Sequence, residues 1–287
     1  WLKPFWLKLV SAQRERPRSL SRGPCATSPL GSMAEKMGFR KKVWPSLCRC
    51  LADHVEVARR IPKILDAYVG PNAIKPQLNE AIMVTVNSVN DCPYCTGLHG
   101  ELARMAGVQE APELMKAKSA KQCRKILDSP AISFARSFTE NDGRGEKCVA
   151  AFEELSEEMG RGPASSVVAL CWFLLWGSIN GNTINSFLLG RLCCAPKQCG
   201  SVIVELFTFV YYGPLFLLIA IVNKLLTIFP QVPEWFSAAF GVLLTFIAAV
   251  WILPLGLIGC MTKPCHPEYA EPIEEYLMED DDNDASQ

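Results

Sequence analysis

Two cysteines and a histidine lie within eight residues of one another, at Cys92, Cys95 and His99. Cys95 and His99 are four residues apart, so on a helix they share one face. Two thiols separated by two residues can form a reversible disulfide, in which one sulfur attacks and the other closes the bond on it. The segment therefore has the chemistry of a reactive dithiol with a proton-transfer group beside it.

The residues around the first cysteine are typical of a helix start. Asn90 and Asp91 are good N-cap residues, and Pro93 suits a first helical turn. Free N–H groups and the positive end of the helix dipole at such a position favour a thiolate over a thiol. We therefore expect the pKa of Cys95 to be lowered.

Glu80 extends this pattern towards the N-terminus. It lies on the preceding predicted helix, from which it could fold back to orient His99 or take up protons. The pattern of Glu, eleven residues, Cys-x-x-Cys, three residues and His resembles the active-site motif of the alkylhydroperoxidase D group. That group belongs to the carboxymuconolactone decarboxylase-like family, and the resemblance covers roughly residues 50–190.

The resemblance implies a thiol-dependent peroxidase. In that family the second cysteine attacks, the first resolves, and Glu and His form a water-assisted proton relay. These roles would fall on Cys95 and Cys92, and on Glu80 and His99. A hydroperoxide would be reduced to an alcohol and water, and a dithiol donor such as a lipoyl group or a thioredoxin-like protein would restore the thiols. The family forms trimers and larger rings, so we expect a homo-oligomer.

Other proteins use the same spacing of cysteines. Cys-Pro-Tyr-Cys is also the glutaredoxin tetrapeptide, but that fold needs βαβ units and the pattern here is helical. Zinc takes four ligands, and Cys92, Cys95 and His99 supply three. A structurally inert pair remains open, as does a non-enzymatic, membrane-tethered adaptor or assembly subunit with a redox-sensitive dithiol. A lactone decarboxylase is disfavoured, because those family members lack the paired cysteines.

The composition bears on partners and compartment. The 29 basic and 29 acidic residues balance, so there is no electrostatic case for a nucleic-acid partner. The 13 cysteines are odd in number and too sparse for a small secreted disulfide scaffold. Cys123, Cys148 and Cys171 lie in apolar helical stretches, which indicates free thiols in a reducing compartment. The sequence contains no nucleotide, flavin or metal motif, so we expect no cofactor.

Hydrophobic periodicity predicts an all-α domain over residues 45–192. No segment alternates convincingly with period two. Helices are predicted from about Pro45 to Gly70, from Pro76 onwards and from Cys92 to Met105. Further helices are predicted over 112–127, 131–138 and 147–159.

The apolar run over residues 165–189 is long enough to cross a membrane. Asn180, Asn182 and Asn185 load its second half, however, and polar side chains are expensive in lipid. We therefore predict a buried helix of the bundle. The resemblance implies that Asn182 and Asn185 wall the active site, although they could simply form hydrogen bonds within the bundle.

Two further uncharged runs predict a membrane hairpin over residues 201–262. The run over 206–222 has the smallest length that can span a membrane, and the run over 235–262 is longer than a span requires. A hairpin buried in a larger core is the alternative. Arg191, Lys197 and Lys263 lie at the outer ends of the spans, against Lys224 near the turn. This bias places the dithiol domain on the reducing, cytoplasmic-type side, in the cytosol or an organelle matrix.

Both ends of the chain are predicted to lie outside the fold. Residues 1–44 are predicted to be a disordered leader, arising either as a targeting segment or by translation of an untranslated RNA leader. Residues 263–287 end in an acidic block, which is typical of a solvated, disordered tail.

Overall fold

The computed structural model describes residues 42–190 and 201–262, and within these ranges the chain is helical and contains no strand. The predicted all-α class is therefore confirmed. The described part forms ten helices: α1 Leu47–Val69, α2 Pro76–Asn90, α3 Pro93–Met105, α4 Ala111–Leu114, α5 Ala120–Ile126, α6 Pro130–Glu140, α7 Glu146–Met159, α8 Arg161–Gly190, α9 Val202–Leu226 and α10 Glu234–Met261.

Helix α1 occupies the centre of the bundle. Ser46 begins it by accepting a hydrogen bond from the backbone N–H of Arg49. Residues 50–57 are all buried, and an unbroken buried run on a helix means that every face is covered. The helices that cover α1 are chiefly α8 and α10.

The bundle begins before the predicted boundary at residue 45. Trp44 is only 1% exposed, and its indole N–H donates to Oδ1 of Asn180 at 3.1 Å. Lys42 pairs with Asp142 at 2.7 Å. These residues are therefore part of the fold, whereas residues 1–41, 191–200 and 263–287 lie outside the described residues.

The single helix predicted over residues 112–127 is wrong. The structure has two short helices there, α4 and α5. Helix α4 ends at Leu114, and Ser119 begins α5, because its side chain accepts the N–H of Gln122.

The long apolar helix α8 is buried in the bundle, as predicted. Its length and composition would allow a membrane span, but 72% of its most apolar stretch is buried inside the protein. Asn180 and Asn182 are fully buried, and Asn185 is 3% exposed. The polar half of the helix is thus enclosed by protein.

Helices α9 and α10 are also long and apolar enough to cross a membrane, which suggests membrane association. They do not form a hairpin that stands apart from the dithiol domain. Helix α9 packs on α3 and α8, and α10 packs along α1. Gly241 of α10 lies against Tyr68, while Gly259 lies against Leu51 at the other end of α1. Helices α1 and α10 are therefore antiparallel.

The outward surface of α9 and α10 is apolar. Of the 19 exposed large apolar side chains in the described part of the chain, all except Leu47 and Val69 lie between residues 202 and 261. Contiguous exposed apolar surface of this kind marks a site of contact with a membrane or another protein.

Close packing of α10 on α1 predicts opposite effects for two glycine substitutions. A Cβ at Gly259 would lie 2.8 Å from the backbone oxygen of Leu51, whereas a Cβ at Gly213 would meet nothing within 4 Å. We expect Gly259→Ala to lower the free energy of unfolding by about 1–3 kcal/mol through overpacking. Gly213→Ala should raise it by about 0.5–1 kcal/mol, since alanine favours helix. Thermal unfolding of the full-length protein in mild detergent measures both, and equal effects would contradict this packing.

Candidate functional site

Glu80 and His99 are hydrogen-bonded, with 3.0 Å between Oε2 and Nδ1. Asp91 takes a left-handed conformation with φ of 52°, which turns the chain sharply so that α3 returns along α2. A carboxylate can only accept, so Nδ1 of His99 donates, and Nε2 remains as the atom that can take a proton. Both side chains are buried, at 6% and 8% exposure.

Helix α3 starts at the cysteines, as predicted, but its N-cap is Cys92 and not Asn90 or Asp91. The Sγ atom of Cys92 accepts the backbone N–H of Cys95 at 3.4 Å. Asn87 in turn accepts the backbone N–H of Cys92 through Oδ1 at 3.2 Å. Asp91 instead ends α2. The backbone amide of Cys95 at the helix start therefore faces the sulfur of Cys92.

The expected lowering of the Cys95 pKa is wrong. Burial raises the pKa of the Cys95 thiol well above its usual value, and its contacts with Cys92 raise it further. Backbone hydrogen bonding at the helix start opposes this but is the smaller effect. Cys95 is consequently protonated near neutral pH in this closed arrangement.

Helix α9 covers the dithiol. A Cβ at Gly181 of α8 would lie 2.6 Å from Sγ of Cys92 and 2.8 Å from Cε1 of Phe216, so the sulfur and the ring both lie beside Gly181. The ring of Phe216 also stands edge-on to Tyr94, with centroids 5.3 Å apart. Glycine at 181 leaves the space that the sulfur and the ring occupy.

The end of α9 is held on α3. Arg104 donates to the backbone oxygens of Leu226 and Phe229 at 3.2 Å and 2.9 Å. These are carbonyls at and beyond the end of α9, where no helical partner remains for them. Asn223 of α9 lies directly against Gly97. The cover over the dithiol is thus attached along the length of α3.

Helix α10 covers the side of the site that carries the hydrogen-bonded pair of Glu80 and His99. Its Gly241 lies against the ring of Tyr68. Burial raises the pKa of the Tyr68 phenol, and the nearby charge of Glu80 raises it further. Tyr68 is therefore a neutral phenol next to the carboxylate of the pair.

The polar end of α8 joins the corner between α2 and α3. Asn182 donates from Nδ2 to the backbone oxygen of Asn90 at 2.9 Å. Asn90 donates to the hydroxyl of Ser178. Asn182, predicted as a wall residue, thereby anchors the chain just before Cys92, and the second predicted wall residue, Asn185, is buried on the same helix.

The structure brings the four predicted site residues together as two contacting pairs, Glu80 with His99 and Cys92 with Cys95. Cys95 and His99 lie one helical turn apart on α3. Sequence reasoning missed Asn87, which the spacing to Cys92 could have indicated. It also missed Gly181, whose signal is a glycine inside an apolar helix. No local signal points to Phe216 or Tyr68, because their contacts join distant helices.

Neither a metal site nor a similarity to a known protein adds to this description of the site. Among residues 42–190 and 201–262, no group of three or more His, Cys, Asp or Glu could hold a metal ion. Comparison of the chain with family models, curated proteins and solved structures finds no match.

The raised pKa predicts slow alkylation of Cys95. Each unit by which the pKa rises lowers the fraction of thiolate tenfold. At pH 7 we therefore expect iodoacetamide to label Cys95 at least about tenfold more slowly in the folded protein than in urea. Labelling should accelerate as the pH rises above 9. Mass spectrometry of the labelled peptides measures this. If Cys95 is instead the first thiol labelled near neutral pH, burial does not control its rate of alkylation.

Proposed function

We propose that this chain is a membrane-associated dithiol oxidoreductase that reduces hydroperoxides through Cys95 and Cys92. The observation that carries the proposal is the 3.0 Å hydrogen bond between Glu80 and His99, one helical turn from Cys95. The expected homo-oligomer and a lipoyl or thioredoxin-like dithiol donor belong to the same proposal.

The proposed reaction has two proton transfers at the relay, one when Cys95 loses its proton and one when the alkoxide leaves. His99 Nε2, directly or through water, takes the proton of Cys95, whose raised pKa makes such a base necessary. The thiolate attacks the terminal peroxide oxygen, the O–O bond breaks, and the alkoxide leaves as an alcohol with a proton from the relay. Cys92 then attacks the sulfenic acid, which releases water and forms the disulfide.

Substitution of each thiol tests the proposed roles. Cys95→Ser should abolish peroxide reduction with a dithiol donor. Cys92→Ser should allow one turnover and leave a sulfenic acid that dimedone traps. Cys123→Ser is the matched control, because this buried thiol lies on α5 outside the site. The reverse pattern at Cys92 and Cys95 would exchange their roles.

Substitution of the relay tests the observation that carries the proposal. Loss of a proton-transfer group costs a factor of about a hundred or more in rate. Glu80→Gln and His99→Asn should therefore slow turnover by about that factor without unfolding the domain. Stopped-flow kinetics and circular dichroism measure the two effects, and wild-type kinetics in both variants would make the pair purely structural.

A redox-sensitive adaptor is the second candidate, and the burial of the dithiol favours it. Cys92 and Cys95 are 0% and 7% exposed, so a substrate does not reach them without movement of the cover. An adaptor would oxidise once and show no turnover when peroxide and dithiol donor are both in excess. The peroxidase turns over under those conditions.

Membrane association is proposed to occur through the outward face of α9 and α10. Helix α1 runs beside α10 and carries Arg59 and Lys63 at the protein surface, so the bundle itself stays in water. We propose that the bundle and the acidic tail lie on the cytoplasmic-type side, which the Lys and Arg count favours. That side is also reducing, which agrees with the free cysteines of the described chain.

A charge on the outward face tests this association. Val250 of α10 is 70% exposed and Val69 of α1 is 64% exposed, which makes them a matched pair. A lysine in the bilayer interior costs about 2.5–3.5 kcal/mol. Val250→Lys should therefore weaken retention on carbonate-washed membranes, while Val69→Lys should not. Release of the wild-type protein by carbonate would argue against insertion of this face.

A further inference from the structure

The cover over the dithiol is apolar on both of its sides. Its inner side places the ring of Phe216 at Cys92, and Phe216 is itself 2% exposed. Its outer side carries large exposed apolar residues, among them Val210 and Leu218. No acidic or basic residue occurs in 206–222 or in 235–262. A molecule that approaches the thiols through this cover therefore crosses an apolar layer.

Helices α9 and α10 meet at two ends of this cover. At one end the hydroxyls of Tyr211 and Tyr212 both donate to the backbone oxygen of Trp251 at 3.2 Å. At the other end Leu226 packs in a cluster with Phe236, Phe240 and Leu244, together with residues of α3.

Between those ends α9 and α10 do not pack closely on each other, because α9 packs on α3 and α8 whereas α10 packs on α1. The small buried residues of α10 lie on the stripe that faces α1, where Gly241 lies against Tyr68. The line between α9 and α10, here called the seam, carries partly buried apolar side chains such as Ile219 and Ile247. Phe216 faces inward from α9 at this level. The seam is therefore apolar and loosely packed beside the ring that lies near Cys92.

We propose that the substrate is a hydroperoxide carried on an acyl chain of a membrane phospholipid, and that it enters from the bilayer through this seam. The inference rests on the proposed peroxidase function. A flexible acyl chain already in lipid loses no hydration on entering an apolar seam, whereas hydrogen peroxide must give up its water. The buried site thereby selects for lipid-borne substrate.

The reaction balances on the protein's own thiols. The phospholipid hydroperoxide and the two thiols of Cys95 and Cys92 give a phospholipid alcohol, water and a disulfide. The peroxide bond is reduced by two electrons and the dithiol is oxidised by two. A dithiol donor then returns both electrons and two protons.

Reconstituted full-length protein tests the substrate class. Vesicles of unsaturated phosphatidylcholine would contain phosphatidylcholine hydroperoxide in one arm, and a free fatty-acid hydroperoxide or tert-butyl hydroperoxide would be added in the others. Dithiothreitol is the donor, and consumption of hydroperoxide is followed. We expect kcat/KM for the phospholipid hydroperoxide to exceed that for tert-butyl hydroperoxide at least tenfold, with the free fatty-acid hydroperoxide below the phospholipid.

The possible outcomes separate the two proposals. Turnover of tert-butyl hydroperoxide at a rate equal to or above that of the phospholipid overturns the lipid inference and leaves the peroxidase standing. A preference for the free fatty-acid hydroperoxide overturns the phospholipid as the carrier of the substrate, because a free fatty acid also partitions into the bilayer. No turnover of any hydroperoxide overturns the peroxidase and the inference with it.

A variant pair tests the seam itself. Phe216→Ala removes the ring near Cys92, and Leu47→Ala removes a 46% exposed side chain of α1, outside α9 and α10. Phe216→Ala should speed alkylation of the dithiol and reduce the preference for phospholipid hydroperoxide at least fivefold. Leu47→Ala should leave both unchanged, and equal effects of the two variants would overturn entry at Phe216. Circular dichroism confirms that each variant is folded.

Discussion

The close contact between Cys92 and Gly181 is the constraint on which the rest of the site depends. The sulfur occupies the space where any other residue at 181 would place its Cβ. Cys92 is also the N-cap of the helix that carries Cys95 and His99. The contact thus fixes α3 against α8, and Phe216 of α9 completes the same junction. Close packing of this kind tolerates little change in volume.

The electrostatics of the site follow from that enclosure. Burial disfavours charge on Cys95, and this outweighs the helix start that would otherwise favour a thiolate. The same enclosure strengthens the hydrogen bond between Glu80 and His99, because the local dielectric is low. The site therefore holds the thiol of Cys95 protonated at rest. Under the proposed function, its ionisation falls to the neighbouring pair, so reactivity would depend on proton transfer more than on an acidic thiol.

The sequence was informative wherever the relevant contacts are local. Spacing alone placed Cys95 and His99 on one helical face, and it placed Glu80 on the preceding helix. It failed where a distant element decides the outcome. The pKa of Cys95 has the opposite sign because helices far along the chain exclude water from it. The start of α3 was predicted at the cysteines, but its N-cap was misassigned to Asn90 or Asp91. Asp91 instead adopts a left-handed conformation that ends α2, and the sequence carries no signal for this because many aspartates cap helix starts.

The apolar helices were predicted as an anchor, and the structure gives them a second role as part of the core. His54 of α1 shows how firmly they are joined to the bundle. Its Nε2 contacts Tyr212 of α9 and accepts the indole N–H of Trp176 at 2.9 Å. Burial lowers the pKa of His54 to about 4, so it is neutral in the fold.

The unfolded chain binds a proton at His54 more readily than the folded chain. The contribution of His54 to the free energy of unfolding therefore falls as the pH drops below about 6.5, and it continues to fall until the pH reaches about 4. Acidification thus acts on the joint that holds α9 over the dithiol. The junction between α9 and the rest of the bundle is therefore more stable at neutral pH than in acid.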